Sequence, residues 1–423
     1  ASREPRFDPQ VYKDPSPAPW LIRLLVPLNR HLILPHVLKL REVDLPAADL
    51  ARLKAAVNPD TAAFLGPNHS EFMTDWMLDK EISSRCSPLM AHWAAHEIVN
   101  GSPLAQRFWL ANRLIANVAG GGGKEYSIRT ALAGDGVLLH PEGTATWQAE
   151  RVGSLRAGIV EMALATARRA VEAGDRRPVH IVPIVWRMFF LGDVSTGLLH
   201  EMAHVERELG LSPRGKRSLQ DRFADLLGEL LVARAASLDC PSPGFDPAHR
   251  SGYFAAQARA LAAVRTRLAE RHGAIDQDIA IAQHALRRKI RERAAVDPHG
   301  ARRDRALLLE LQRLSRLDPS LYGGPTLSQE EMAEVLKATR SALVTRGWQN
   351  ALHNTVPMAV GPRIAHIRVS EPIAVHEALR AGTGAEVLLL GLRERLQAAV
   401  EALGQECAPS VARFRRPNPL QTA

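Results

Sequence analysis

A change of hydrophobic period partway along this 423-residue chain most constrains what it can fold into. From about Ala47 to Met188, short apolar runs near Thr61, Leu114, Gly136 and His180 alternate with helical stretches near Trp76, Pro103, Tyr126 and Leu155. That alternation predicts an α/β fold, a sheet covered by helices. From about Thr196 to Ala351 the apolar residues recur at helical spacing only, in Glu201 to Leu209, Arg217 to Ser237, Ser251 to His272, Ile275 to Ala295, Ala301 to Leu317 and Ser328 to Arg346. Ser328-Gln329-Glu330-Glu331 is a capping box for the last of these. A strand pattern returns at Ile364 to Val369, and Glu386 to Leu403 is read as a terminal helix.

With 46% hydrophobic and 23% charged residues the chain can bury a full core, as one large domain or two. Cys86, Cys240 and Cys407 are odd in number and far apart, which gives neither a disulfide framework nor a metal motif. No apolar run approaches the ~20 residues a membrane span needs, and no signal-peptide pattern is present. A cytoplasmic protein, soluble or peripheral on the inner face of the plasma membrane, is therefore expected. The net charge of +9 suits phosphorylated substrates or an anionic bilayer. Nucleic acid is not expected as a partner, because aromatics make up only 5% and no recognised module is present. Trp20 to Leu34 is apolar and basic and opens with tryptophan, as interfacial segments do; a core-packed helix kinked at Pro27 is the other reading, and each can hold for a different face.

Two blocks carry chemistry. Thr61 to Gly66 reads as a buried strand ending in a Gly66-Pro67-Asn68 turn, which puts His69 at the strand's end, and the helical pattern from Trp76 puts Asp75 at the start of a helix. A carboxylate that reaches back to an imidazole fixes its tautomer and stabilises the imidazolium formed when it removes a proton. The second block, His140-Pro141-Glu142-Gly143-Thr144, follows another apolar run and offers a rigid turn with a carboxylate, a glycine and a hydroxyl. Together they point to acyl transfer with an alcohol as nucleophile.

In order and spacing the chain resembles the glycerolipid acyltransferases, the family of glycerol-3-phosphate and lysophosphatidic acid acyltransferases. The resemblance rests on Asn68-His69 to Asp75, on Pro141 to Thr144, on the proline-bearing strand around Pro183, and on Ile364 to Ile373, which is similar to the family's closing strand and turn. It implies a central, mostly parallel sheet. It also implies transfer of a fatty acyl group from acyl-CoA or acyl carrier protein, with no other cofactor and no metal, to a lipid or phosphorylated glycerol acceptor. His69 would be the general base and Asp75 its partner, with Glu142, Gly143 and Thr144 binding substrate and Pro183 lining an acyl pocket.

The departures are specific. Five residues separate His69 from Asp75 where the family has four, so either the loop bulges and Asp75 still reaches His69, which is favoured, or the dyad is broken. The family's arginine after Glu-Gly-Thr is Ala145 here, and its arginine after the third strand is replaced by Gly120 to Gly123 and Lys124. Exposed amides of such a loop can cradle an anion, which nominates Lys124 and Arg129 for the phosphate, with Arg151 and Arg156 behind them. An acceptor without phosphate, or a catalytically weakened membrane-associated homologue, are the alternatives. His92 and His96 are expected four apart on one helix face, a spacing that fits packing or surface roles better than a metal.

The expected organisation is an N-terminal arm and membrane-interface helix at 1–46, an acyltransferase core at 47–195, a helical insertion at 196–355, and the closing strand, C-terminal helix and basic tail at 356–423. Because the closing strand lies beyond the helical block, the two ends of that block should lie close together. The Arg287 to Arg293 run is expected as a solvated helix face or a contact for anionic lipid or acyl carrier protein.

Overall fold

The computed structural model describes residues 8, 10–211, 217–237, 252–276, 279–343 and 360–421. Residues 1–7 and 9 of the arm, Cys240, Ser251, the end of the helix read to Arg346, residues 344–355 of the insertion and the last two residues of the tail lie outside the described residues. The chain forms two compact units, residues 1–188 with 363–406, and residues 189–362 with 407–423.

The first unit is built on a sheet of mostly parallel strands. In chain order the strands among the described residues are β1 (Leu40–Asp44), β2 (Ala62–Pro67), β3 (Ala91–Ala95), β4 (Leu114–Asn117), β5 (Val137–Leu138), β6 (Val179–Phe190), β7 (Thr326–Leu327), β8 (Arg363–Val369), β9 (Ile373–Ala374) and β10 (Arg416–Pro417). The sheet runs β1-β8-β6-β2-β5-β3-β4, with β9 antiparallel on β6. β2 pairs parallel with both β5 and β6, and every one of its residues is buried, as a strand covered on both faces requires. The chain passes from β2 outward to β3 and β4, then returns to insert β5 beside β2. The carboxyl ends of β2 and β5 thus lie side by side where the strand order reverses, the place where open α/β sheets form their crevices.

The helices of this unit are α1 (Pro19–Leu28), α2 (Ala47–Ala56), α3 (Met73–Cys86), α4 (His96–Val99), α5 (Pro103–Ala111), α6 (Gly123–Leu132) and α7 (Gly158–Glu172), before the closing pair Val375–Arg380 and Ala385–Ala412. α3 packs Leu78 and Ile82 into a core with Leu53, Leu65, Met90, Trp186 and Ile367. After Pro27 the backbone of α1 widens into a π-helical turn, Asn29–Val37, consistent with the amide that proline lacks. Asn29 there donates to the Met77 carbonyl at 3.0 Å, which ties this segment to α3. α7 begins later than its periodicity predicts, because the amides of Val152 and Gly153 are held by Gln397 and Glu142 side chains instead of joining a helix. The expected helix bearing His92 and His96 is absent: Ala91–Ala95 is the strand β3, buried at Ala91 and His92 and opening to solvent by Ala95, and His96 opens the short α4. A short alanine-rich strand without polar–apolar alternation has nothing in its own pattern to distinguish it from a helix.

The second unit is helical. Its helices Ser195–Glu208, Leu219–Ser237, Tyr253–His272, Ile279–Ala294, Pro298–Arg316 and Gln329–Leu343 enclose a core with Phe223, Val264, Leu268, Leu311 and Leu336 at its centre. The Ser328 box forms: Glu331 N donates to Ser328 Oγ at 3.1 Å and Ser328 N to Glu331 Oε2 at 2.6 Å. The amide of Leu191 donates to the carbonyl of Pro362 at 3.0 Å, so the two ends of the insertion meet. The tail after Cys407 belongs to this unit, where β10 pairs antiparallel with β7.

Candidate active site

Asn68, His69 and Ser70 follow β2 directly. Asn68 locks the exit of the strand to β6: its Nδ2 donates to the Trp186 carbonyl at 3.1 Å and its Oδ1 accepts from Trp186 N at 2.9 Å. The chain then turns into α3, and the additional residue is taken up before the helix starts. Asp75, in the first turn of α3 and fully buried, reaches His69 Nδ1 at 2.9 Å through Oδ2. The same oxygen accepts from Glu71 N at 2.8 Å, and Oδ1 accepts from Trp186 Nε1 at 2.9 Å. Glu71 itself is committed to Arg363 at 2.7 Å and to Thr74 at 2.5 Å, so it does not compete for the imidazole. With Nδ1 held by Asp75, His69 Nε2 has no hydrogen-bond partner among the described residues, and the side chain remains 13% exposed.

The Pro141 to Thr144 turn, which follows β5, closes on this histidine. Glu142 is buried and accepts from His69 N at 2.6 Å and Gly153 N at 2.7 Å, so both its oxygens clamp main chain rather than facing a substrate. Thr146 N and Trp147 N then donate to the carbonyls of His69 (2.8 Å) and Ser70 (3.1 Å). Trp147 is held at φ 61 in the left-handed region to do so, a strained setting for a bulky residue. Gly143 has φ 71, and any Cβ there would meet Arg156 Nε at 2.7 Å; only glycine suits both demands. Gly143, Thr144 and Arg156 are exposed together at this turn, with Arg156 N also bonded to the Pro141 carbonyl at 2.7 Å.

His140 and Asp79 join this cluster, and the sequence reading assigned a role to neither. His140 stacks on His69 with ring centroids 4.1 Å apart and planes at 21°, and it stands edge-on to Trp186. Its Nε2 lies 3.1 Å from Asp79 Oδ2 and its Nδ1 2.9 Å from the Asn68 carbonyl. Asp75 and Asp79 are one helical turn apart on α3, so both carboxylates face the two histidines. The signal was available: an acid four residues beyond Asp75, and a histidine directly before the conspicuous turn.

Burial sets the electrostatics. It combines with the neighbouring His140 to hold His69 well below the ordinary imidazole range, which leaves it neutral and able to accept a proton. Burial also opposes a charge on His140, but Asp79 and Asp75 outweigh it and hold that imidazole up at about 9. Asp75 is pushed up to about 7 by burial, against His140 and the N–H donors around it. Glu142 rises to about 7 for the same reason, opposed by its two amides.

The other nominated residues fall elsewhere in the unit. Lys124 pairs with Glu161 and Arg129 with Asp14, each at 2.6 Å, on exposed surface of α6. Gly121 and Gly122 lie against Tyr12. Pro183 is a buried residue of β6, opposite Gly66. His92 is buried against Ser83, whereas His96 lies beside Gln10 and Glu97. Ligand atoms of His69, Asp75 and His140 come within 4.8 Å of one another, close enough to suit a metal ion. Internal hydrogen bonds already occupy both His140 nitrogens and His69 Nδ1, and stacked rings turn faces rather than lone pairs toward each other. The chain matches no protein-family model and no curated protein sequence.

Proposed function

We propose that this chain is an O-acyltransferase of glycerolipid acyltransferase type, moving a fatty acyl group from acyl-CoA or acyl carrier protein to a hydroxyl of a glycerolipid precursor. The observation that carries the reading is the His69–Asp75 pair at the carboxyl end of β2, oriented through Nδ1 and unbonded at Nε2. His69 Nε2 takes the proton of the acceptor hydroxyl as its oxygen attacks the thioester carbonyl. The carbon–sulfur bond then breaks, and the imidazolium returns the proton to the departing thiolate. Asp75 keeps the imidazole in the required tautomer and stabilises its charged form. Ser70 Oγ, buried beside His69 without a partner among the described residues, is the nearest hydroxyl in sequence, but direct transfer asks nothing of it.

Arg156, exposed beside Gly143 and Thr144, is better placed than Lys124 or Arg129 to receive the phosphate of an acceptor, since those two already face carboxylates. A lipid acceptor would be met at the inner face of the plasma membrane through the outer side of α1. Among the described residues no helix is long and apolar enough to cross a membrane. The test is transfer of a radiolabelled acyl group from each thioester to lysophosphatidic acid, glycerol-3-phosphate and a lyso-aminolipid. Labelled product with a phosphorylated acceptor, and a raised KM in Arg156→Ala, are expected. Product only with the aminolipid would remove the phosphate role, and no product with any acceptor would contradict the reading.

A further inference from the structure

His140 is a titratable group, its side chain only 12% exposed, that the acyl-transfer steps do not use. Its ring sits between two acceptors, the Asn68 carbonyl at 2.9 Å and the Asp79 carboxylate at 3.1 Å. A neutral imidazole has one N–H, so beside an ionised Asp79 one of those contacts would set lone pair against lone pair, whereas an imidazolium donates to both. Burial pushes the Asp79 carboxyl up, so the competing arrangement is a protonated Asp79 donating to a neutral ring, which the titration below distinguishes. The remaining oxygen of Asp79 is buried with no hydrogen-bond partner among the described residues, so His140 is the one hydrogen-bond partner of that side chain among them. We propose that His140, held as an imidazolium between Asn68 and Asp79 and stacked on His69, is a positioning residue that keeps the His69 ring neutral and ready to act as base.

The stacking geometry makes this coupling strong. Two cations with ring centroids 4.1 Å apart in a site shielded from water repel each other far more than they would in solvent. The other ionisable groups around the pair are Asp75 and Asp79 of α3, Glu71 of the loop after β2, Glu142 of the turn and His92 of β3, with Lys80 of α3 acting on Asp79 and His92. Glu71 is neutralised by Arg363, and His92 is held neutral by burial. Asp79 is the carboxylate hydrogen-bonded to His140, and Asp75 the one hydrogen-bonded to His69.

The inference rests on His69 being the base, but its test needs no activity. Two-bond proton–nitrogen spectra of the full chain with labelled histidine would be followed through a pH titration, with His140 assigned by its loss in His140→Phe and His69 by its loss in His69→Gln. His140 should show two protonated ring nitrogens at neutral pH and titrate above it, while His69 stays neutral. In His140→Phe, which keeps a stacked ring without the charge, the His69 midpoint should rise by about one pH unit or more, a tenfold gain in proton affinity. A neutral His140 at neutral pH overturns the proposal, as does an unmoved His69 midpoint in the folded variant. If His140→Phe does not fold because Asp79 is left unpaired, His140→Phe with Asp79→Asn supplies the second spectrum, and the wild-type protonation state still decides. An imidazolium at His140 without any acyl transfer would refute the functional reading alone; transfer with a neutral His140 would refute this inference alone.

Discussion

Glu142 shows how much of this site is scaffolding that resembles chemistry. Its two oxygens satisfy the amides of His69 and Gly153, so Glu142→Ala leaves both without their partner. Measured at about pH 8, where a carboxyl held at about 7 is ionised, charge-assisted bonds of this kind support an expected loss of roughly 2–5 kcal/mol in a urea titration, with Glu142→Gln, which keeps one acceptor, losing about half as much. Equal stability of the two variants would show that the clamp is not what Glu142 contributes. A second expectation follows from His140. Its folded pKa of about 9 lies above the unfolded value, so its contribution is fully present below about pH 6.5 and lost as pH rises through 9. Lys80, lowered to about 8 by burial, acts in the opposite sense above that pH. Between pH 6.5 and 8 His140 should therefore withdraw at most about 1.5 kcal/mol from the wild type relative to His140→Phe, less whatever Asp75, Asp79 and Glu142 lose over the same window once His140 no longer holds them down, and a wild type that gains on the variant across that window would contradict the charge assigned to His140. The residues legible in the sequence were those in local blocks, His69, Asp75 and the turn. Lys124 and Arg129 could not be placed from sequence, because their partners Glu161 and Asp14 are 37 and 115 residues away.

At the scale of elements, α1 divides its faces as its composition allows. Ile22 is buried, while Trp20, Leu24 and Leu28 recur four apart and are 69%, 61% and 41% exposed, with Arg23 exposed among them. That stripe is the candidate contact with an anionic bilayer. Trp20→Ser combined with Leu24→Ser should weaken sedimentation with anionic vesicles by roughly tenfold or more, and salt should weaken the wild type further. Unchanged binding would remove α1 as the anchor. The helices were legible from their periodicity, since an amphipathic face is written locally. β3 was not, because an Ala-rich strand earns its identity from its pairing with β4 and β5, which its own residues do not encode. The additional residue between His69 and Asp75 was resolvable in principle, as a loop before a helix absorbs one residue more easily than a helix interior does.

For the whole molecule, the switch of period near Thr196 marks the start of the helical unit, whose first helix begins at Ser195, and the contact between Leu191 and Pro362 accounts for how so long a block can interrupt one sheet. The C-terminal tail was harder to assign. Its docking uses two short strand residues and Asn418, whose side chain donates to the carbonyls of Tyr322 and Gly324, and pairings that remote leave little trace in composition. The central claim concerns the other unit: a neutral His69, oriented by Asp75, removes a proton from an acceptor hydroxyl in a direct acyl transfer. It is tested most directly by the acyl-transfer rate of His69→Ala beside wild type, with circular dichroism to establish that both are folded and mass spectrometry of each protein during turnover. The account predicts a rate lower by roughly 10² to 10⁴ with an unchanged fold and no acyl group on the protein. A His69→Ala rate equal to wild type, or an acyl group carried covalently on Ser70 or any other side chain, would contradict it.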